Sequence, residues 1–286
     1  MSQPYHAFVA EFAGLLAKGR QLPLGDVAPA ICPPLPETAP WALVFSPHPD
    51  DESIIGALPL RLRREAGFRV AVVAVTQGSK AERQAERLEE MRGACGYLGF
   101  ELLTTGNHGL SGISPTFRRT DPLAWKESVH VAARIIKECR PRVIVVPHEL
   151  DGHSTHQGTH LLVMDALREL GPDFACHVVL AEYWAALTAP NLMVESTPAE
   201  VADLMTAISF HKGEVARNPY HVLLPSWMSD NVRRGSELVG GLGGVGVDFT
   251  FATLYRIAWW DGQELVAPLH GSGSLAAGGD MAALVG

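Results

Sequence analysis

The sequence predicts an α/β fold: a mostly parallel, Rossmann-like sheet with helices on both faces and a late β segment. Three observations lead there. The Val-rich runs RVAVVAVT (69–76) and RVIVVP (142–147) lack alternation, as strands covered on both faces do. Helical periodicity fills the stretches between them, as in 80–99, where Ala81, Ala85, Leu88, Met91 and Cys95 share one side. Breakers fall where such helices should stop, at Pro141 and at Gly171-Pro172.

In order, 5–19 reads as an amphipathic helix and 21–40 as a Pro-rich irregular connection. WALVFS (41–46) is the first strand. A helix over 53–66 follows, bent or interrupted near Pro59. Further strands are expected at 69–76, 101–105, 142–147 and 177–184, with helices at 80–99, 123–139, 155–170 and 198–215. Residues 247–260 read as one or two late strands. The segment 233–246 holds six glycines and is expected to be a mobile loop able to cover a site. Its GLGGVG lacks the preceding strand and following helix of a dinucleotide motif. The expected organisation is a helix and connection over 1–40, one domain over 41–267 and a frayed tail over 268–286.

The bulk numbers exclude some functions. With 286 residues, 47% hydrophobic and 19% charged, the chain has the composition of a soluble globular protein. A net charge of −8 argues against nucleic acid or an anionic membrane as main partner. There is no apolar run of membrane-spanning length, and Glu11 interrupts the only stretch resembling a leader. Four scattered cysteines without a CxxC pair suggest reduced thiols and a cytoplasmic location.

In a parallel sheet, ligands bind beyond the carboxyl ends of strands. Three loops there are unusual: HPDDE (48–52), TQGSK (76–80) and PHELDGHSTHQGTH (147–160). His153, His156 and His160 share a helical face by their spacing, and Asp151 and Ser154 are candidate caps. Two histidines and an aspartate suit Zn²⁺, with Fe²⁺, Co²⁺ or Mn²⁺ as alternatives, and leave a coordination position open. A second aspartate is then free to act as a base. The bland alternative is a solvated acidic turn facing ordinary helix-surface histidines.

HPDDE after an apolar strand, followed by P-H-x-x-D-G-H-x-x-H, resembles the PIG-L (LmbE-like) family of mostly zinc-dependent deacetylases. The resemblance extends over most of 41–215 and includes R-x-x-E-x-x-x-A-x-x-x-L-G at 87–99. It implies His48, Asp51 and His156 as ligands of a single Zn²⁺, and Asp50 as general base. It implies His153, protonated, as the group that stabilises the oxyanion or protonates the leaving amine, and Glu52 as an outer support. The implied reaction removes acetyl from an N-acetylated amino sugar or glycoconjugate; a homo-oligomer is compatible with it.

The sequence departs from the family at Ser154-Thr155, where Pro-Asp is usual, and at TQGSK, which lacks the common Glu. Cleavage of another amide or a phosphate ester, or a non-catalytic metal-containing module, are the alternatives. His160 is expected to pack beneath the site, and His148 and Asp151 to shape the loop. Lys80, Arg83, Asn107 and His108 are sugar contacts or solvated surface. Glu182 and Tyr183 are weak pocket candidates, Trp184 and Trp227 are expected to pack rather than to stack on a sugar ring, and His211-Lys212 reads as a cationic helix end.

Overall fold

In a computed structural model describing residues 3–29, 32–243, 246–269 and 273–285, the Val-rich runs form the centre of one sheet. Strands β1 (Trp41–Ser46), β2 (Arg69–Ala74), β3 (Glu101–Thr104), β4 (Val143–Pro147) and β5 (Cys176–Ala181) are parallel. Beyond β5 the sheet turns mixed. β7 (Ala252–Trp260) runs antiparallel to both β5 and β6 (Leu192–Glu195), β8 (Leu265–Val266) folds back on β7, and β9 (Gly273–Leu275) lies parallel to β6. The order is β3-β2-β1-β4-β5-β7-β6-β9.

Alternate side chains of the central strands enter two cores. Ala42, Val44, Val70 and Val72 face α3 (Leu58–Arg64), α4 (Gln84–Leu98) and α8 (Pro198–Ser209). Leu43, Phe45, Ala71 and Val73 face α6 (Pro122–Cys139) and α7 (Ser154–Leu170). Both faces being apolar explains the unalternated runs, and each fully buried Val, Leu or Phe contributes about 1.5–3 kcal/mol. The remaining helices are α1 (Pro4–Gly19), α2 (Asp51–Ile54), α5 (Pro115–Thr120), α9 (Lys212–Arg217), α10 (Leu224–Leu238) and α11 (Met281–Val285). Among the described residues, no helix is long and apolar enough to cross a membrane.

Several expectations are corrected. The helix expected over 53–66 is two helices, α2 and α3, and the break lies at Gly56 rather than Pro59. Gly56 has φ +89°, and a Cβ there would collide with the Thr253 side chain. The Tyr255 hydroxyl bridges the gap, donating to Ile55 O (2.6 Å) and accepting from Leu58 N (3.4 Å). Pro59 sits in the first turn of α3, where a missing N–H is tolerated. The helix expected over 198–215 breaks at Phe210-His211 into α8 and α9.

The first part of the expected loop 233–246, residues 233–238, is the end of α10; its Gly244 and Val245 lie outside the described residues. The tail expected to fray is docked: β9 extends the sheet, and α11 buries Met281, Leu284 and Val285. Residues 270–272 and 286 of that tail lie outside the described set.

Arg61 ties this tail down. It is 0% exposed and donates to the Glu65 carboxylate (3.0 Å), to Ala276 O (2.9 Å) and to Glu195 O (3.3 Å). Removing it strands a buried carbonyl pair and loosens the β9–α11 segment. Arg61→Ala is expected to lower stability by about 3 kcal/mol, measured by urea unfolding.

Candidate metal centre

β1 and β4 are neighbours, and the chain order reverses between them: β2 and β3 lie on one side, β5 on the other. Such a reversal opens a crevice at the carboxyl ends. The loops after β1 and β4 flank it, so HPDDE and the start of α7 face each other across a hundred residues of sequence.

Three ligand atoms meet there. Asp51 Oδ2 lies 3.3 Å from His48 Nδ1 and 3.2 Å from His156 Nε2, and the two nitrogens are 3.2 Å apart. Tetrahedral bonds of ~2.0–2.1 Å place ligand atoms about 3.3 Å apart, so the triangle has the edge a zinc-sized cation requires. His48, His153 and His156 also present ligand atoms within 4.8 Å of one another. That cluster could hold a metal as well, but the Asp51 triangle is the tighter of the two and supplies a negative charge. His156 Nδ1 is buried without a hydrogen-bond partner, with Asp151 Oδ1 3.6 Å away. A metal on Nε2 would put the ring's proton on Nδ1, aimed at that carboxylate.

The electrostatics follow the geometry. Burial alone would raise Asp51, but His156 and His48 override it and hold the carboxyl well below its usual range. Burial would lower His156, but Asp51 and Asp151 hold it above the usual range. Asp50 is pushed up to about 7, first by burial and then by Asp51, against the pull of His211 and Arg87. A cation in the adjacent triangle would draw it down again.

Asp50 has φ 120°, a backbone state costing a non-glycine residue about 1–3 kcal/mol. It turns the side chains of Asp50 and Asp51 to different neighbours. The Tyr220 hydroxyl donates to Asp50 Oδ2 (2.9 Å). Arg87 donates to Pro49 O (2.7 Å) and lies 3.9 Å from Asp50 Oδ2. Glu52 accepts from Asp50 N (3.0 Å) and from the buried His211 Nε2 (2.7 Å).

His153 is the N-cap of α7, and its Nδ1 accepts from Thr155 N (3.2 Å). Burial first, then His48 and His156, push the ring below its usual range. With Nδ1 accepting from a backbone N–H, Nε2 is the ring nitrogen free to carry a proton. Its ring lies 4.9 Å from that of His48 and 6.0 Å from that of Trp184.

The other sequence candidates separate cleanly. His160 is buried beneath the site, donating from Nδ1 to Pro147 O (3.0 Å). His148 shapes the loop by accepting from Leu150 N and donating to Ala185 O. Asp151 does more than shape it: buried, it accepts from His153 N (2.9 Å) and Trp184 N (3.1 Å) beside His156. Tyr183 packs its ring on His156 at 4.9 Å. Glu182 is held by Arg234, Arg83 pairs with Glu214, and Trp227 packs on the core. Lys80, Asn107 and His108 are exposed. His211-Lys212 is no exposed cationic end, because His211 is buried against Glu52. Sequence reasoning missed Tyr220 altogether, and saw Arg87 only as part of a motif.

Residues 43–167 match the family described as PIG-L: GlcNAc-PI de-N-acetylase. The matched segment spans both halves of the triangle, from β1 into α7. A curated relative, the 1D-myo-inositol 2-acetamido-2-deoxy-α-D-glucopyranoside deacetylase of Mycobacterium leprae (strain Br4923), is 28% identical over 170 residues, 50% of this chain and 55% of that one. The chain thus spans about half the length of that relative.

Two solved structures show the fold extending beyond the matched segment. The N,N'-diacetylchitobiose deacetylase from Pyrococcus horikoshii superposes with a TM-score of 0.56 at 16% identity, covering 90% of this chain and 93% of that one. The 4-carboxy-2-hydroxymuconate hydratase from Pseudomonas putida KT2440 does so at 0.55 and 17%, covering 76% and 95%. A deacetylase and a hydratase share the scaffold, so the reaction must be argued from the site.

Burial alone would lower His211, but Glu52 and then Asp50 and Glu90 hold it above its usual range. A raised folded pKa means that its contribution is complete below the unfolded value of about 6.5 and is lost as pH rises through the folded one. The stability gap between wild type and His211→Gln is expected to be about 3 kcal/mol near pH 6 and to narrow as pH rises through the raised folded value, read by urea unfolding.

Proposed function

We propose that the chain is a metal-dependent hydrolase that removes acetyl from an N-acetylated amino sugar or its conjugate. One observation carries this reading: a cation-sized triangle of His48, Asp51 and His156 stands beside a carboxyl, Asp50, that the triangle does not use. The PIG-L match and the deacetylase relative support the acetamido sugar as substrate class. Zn²⁺ is the proposed metal, since two imidazoles and a carboxylate form a borderline-soft set with a position left open. Four free cysteines fit a reducing, cytoplasmic compartment.

The metal would supply a Lewis acid for the acyl oxygen and lower the pKa of water beside it to ~7. Asp50 takes a proton from the attacking water while Tyr220 and Arg87 hold its carboxyl in place. The water oxygen bonds to the carbonyl carbon, and charge collects on the acyl oxygen. His153, neutral and protonated on Nε2, donates a hydrogen bond to that oxygen. Asp50 then returns the proton to the amide nitrogen, the C–N bond breaks, and acetate and the free amine leave. Asp151 orients His156 and, through Trp184 N, the rim. Trp184 is 67% exposed at that rim and offers an aromatic face to the sugar ring.

Phosphate-ester cleavage is less well served. It calls for free cations at the mouth, and the guanidinium beside Asp50, that of Arg87, is already turned to Pro49 O and Asp50.

Acetate release from a panel of N-acetylated amino sugars and conjugates tests the proposal. Chelation is expected to abolish turnover and Zn²⁺ to restore it; persistent turnover in metal-free protein would overturn the reading. Asp50→Asn should lower kcat by about 10³-fold while metal content stays unchanged. Lost metal would instead exchange the roles of the two aspartates. Trp184→Ala is expected to raise KM about tenfold with kcat nearly unchanged, measured by steady-state kinetics.

A further inference from the structure

One buried carboxylate serves both the ligand triangle and the rim above it. Asp151 is 0% exposed. Its Oδ1 accepts from His153 N (2.9 Å) and stands 3.6 Å from the unpartnered Nδ1 of His156. Its Oδ2 accepts from Trp184 N (3.1 Å). Its main chain is pinned as well: Asp151 N donates to His148 O (3.2 Å), and Asp151 O accepts from Gln157 Nε2 (2.6 Å). The carboxylate thus keeps its place between ring and rim.

The rim has few other ties. Residues 183–186 lie in no strand or helix, and among the described residues no main-chain group bonds to theirs. Two side chains of the loop between β4 and α7 hold them instead. Asp151 holds Trp184 N, and His148 donates from Nε2 to Ala185 O (2.9 Å). Gly152 lets the two loops close on each other, since a Cβ there would stand 3.3 Å from Trp184 O.

An acid that merely shaped the loop would account for the two backbone contacts. It would not account for His156 Nδ1, sealed from water and facing a carboxylate to which it does not bond. The tautomer supplies the reason. His156 Nε2 stands 3.2 Å from Asp51 Oδ2. In a neutral ring whose Nε2–H serves that contact, Nδ1 is a bare lone pair and repels Asp151. Once Nε2 is given to a cation, the ring's proton sits on Nδ1 and Asp151 Oδ1 gains a donor.

We infer that Asp151 is a positioning residue that couples the two regions: a metal ion in the triangle draws the carboxylate onto His156 Nδ1 and, through Oδ2, orders the rim at Trp184. The inference rests on the metal-dependent reading of the triangle and adds to it how the sugar's seat is assembled. Linkage is reciprocal, so the ordered rim tightens the metal by the same factor.

Amide hydrogen exchange of the full chain, with and without Zn²⁺, tests this. Zn²⁺ is expected to slow exchange across 183–186 about tenfold, although no proposed ligand lies there. Zn²⁺ affinity, by competition with a chromophoric chelator, is the second readout. Asp151→Asn keeps one oxygen and turns an N–H₂ towards a donor, so one partner is lost. It should raise the Zn²⁺ Kd about 10–100-fold and abolish the metal-dependent protection. His148→Ala cuts the other tie; it should speed exchange with and without metal and leave the Kd unchanged. A merely structural carboxylate would weaken metal-free and loaded protein alike and leave the Kd of Asp151→Asn at the wild-type value, which overturns the inference. So does protection that persists in Asp151→Asn, since it would run through the Tyr183 ring packed on His156. An equal loss of affinity in both variants overturns it too. Should Asp151→Asn fail to fold, a wild type that binds Zn²⁺ without protecting 183–186 still overturns the inference and leaves the metal reading standing. A wild type that binds no Zn²⁺ overturns both.

Discussion

The parallel pairing of β1 with β4 is the constraint on which the site rests. Ala42, Leu43 and Val44 stand opposite Val143, Ile144 and Val145, and this register fixes how far the two loops rise above the sheet. A strand advances ~3.3 Å per residue. A slip by a single residue would therefore shift His48 relative to His156 by the whole 3.2 Å edge of the ligand triangle. Register itself is secured by burial, because such a slip would also exchange the residues of the two cores. Precision at the centre is inherited from hydrophobic packing well below it.

Three consecutive acids could not share a loop unless each had its own source of compensation. Asp51 is answered by two imidazoles, Glu52 by the buried His211, and Asp50 by the Tyr220 hydroxyl with Arg87 behind it. The unusual backbone at Asp50 sends neighbouring side chains to different partners, and that strain is held by elements from several parts of the chain. α4 contributes Arg87, the α8–α9 junction His211, and the segment before α10 Tyr220. The ligand loop is thus the point at which the sheet and one helical layer are fastened together.

The central strands were legible because residues such as Val70–Val73 are apolar irrespective of parity, which only a doubly covered strand demands. The His–Asp cluster was legible because its spacings are local: HPDD lies within one turn and G-H-x-x-H at the start of one helix. α10 was not legible. Its inward face is Leu224, Met228, Asn231 and Gly235, so that half the positions that would mark helical periodicity are polar or bare. Gly235 is there because Met193 and Leu254 approach it closely, a fact of tertiary packing with no sequence signature. β6 is four residues long and finds its partner β7 only after α8, α9 and α10 have intervened. His211 was misread since a histidine at a helix end is ordinarily solvated, and only the fold brings Glu52 to it. Tyr220 lies in a short 3₁₀ turn, where no period marks a side chain as inward.

The way the sheet terminates has its own consequence. An unpaired strand invites another chain to add to it, and long flat borders seed aggregation. Here both borders are blunt. β3 is short and carries the Glu101–Arg69 ion pair at its side, while the three residues of β9 cover β6 and begin with a glycine. Were β9 and α11 to peel away, the apolar Leu192–Val194 stretch would become a template for intermolecular strand addition. By covering β6, β9 closes that border of the sheet against strand addition.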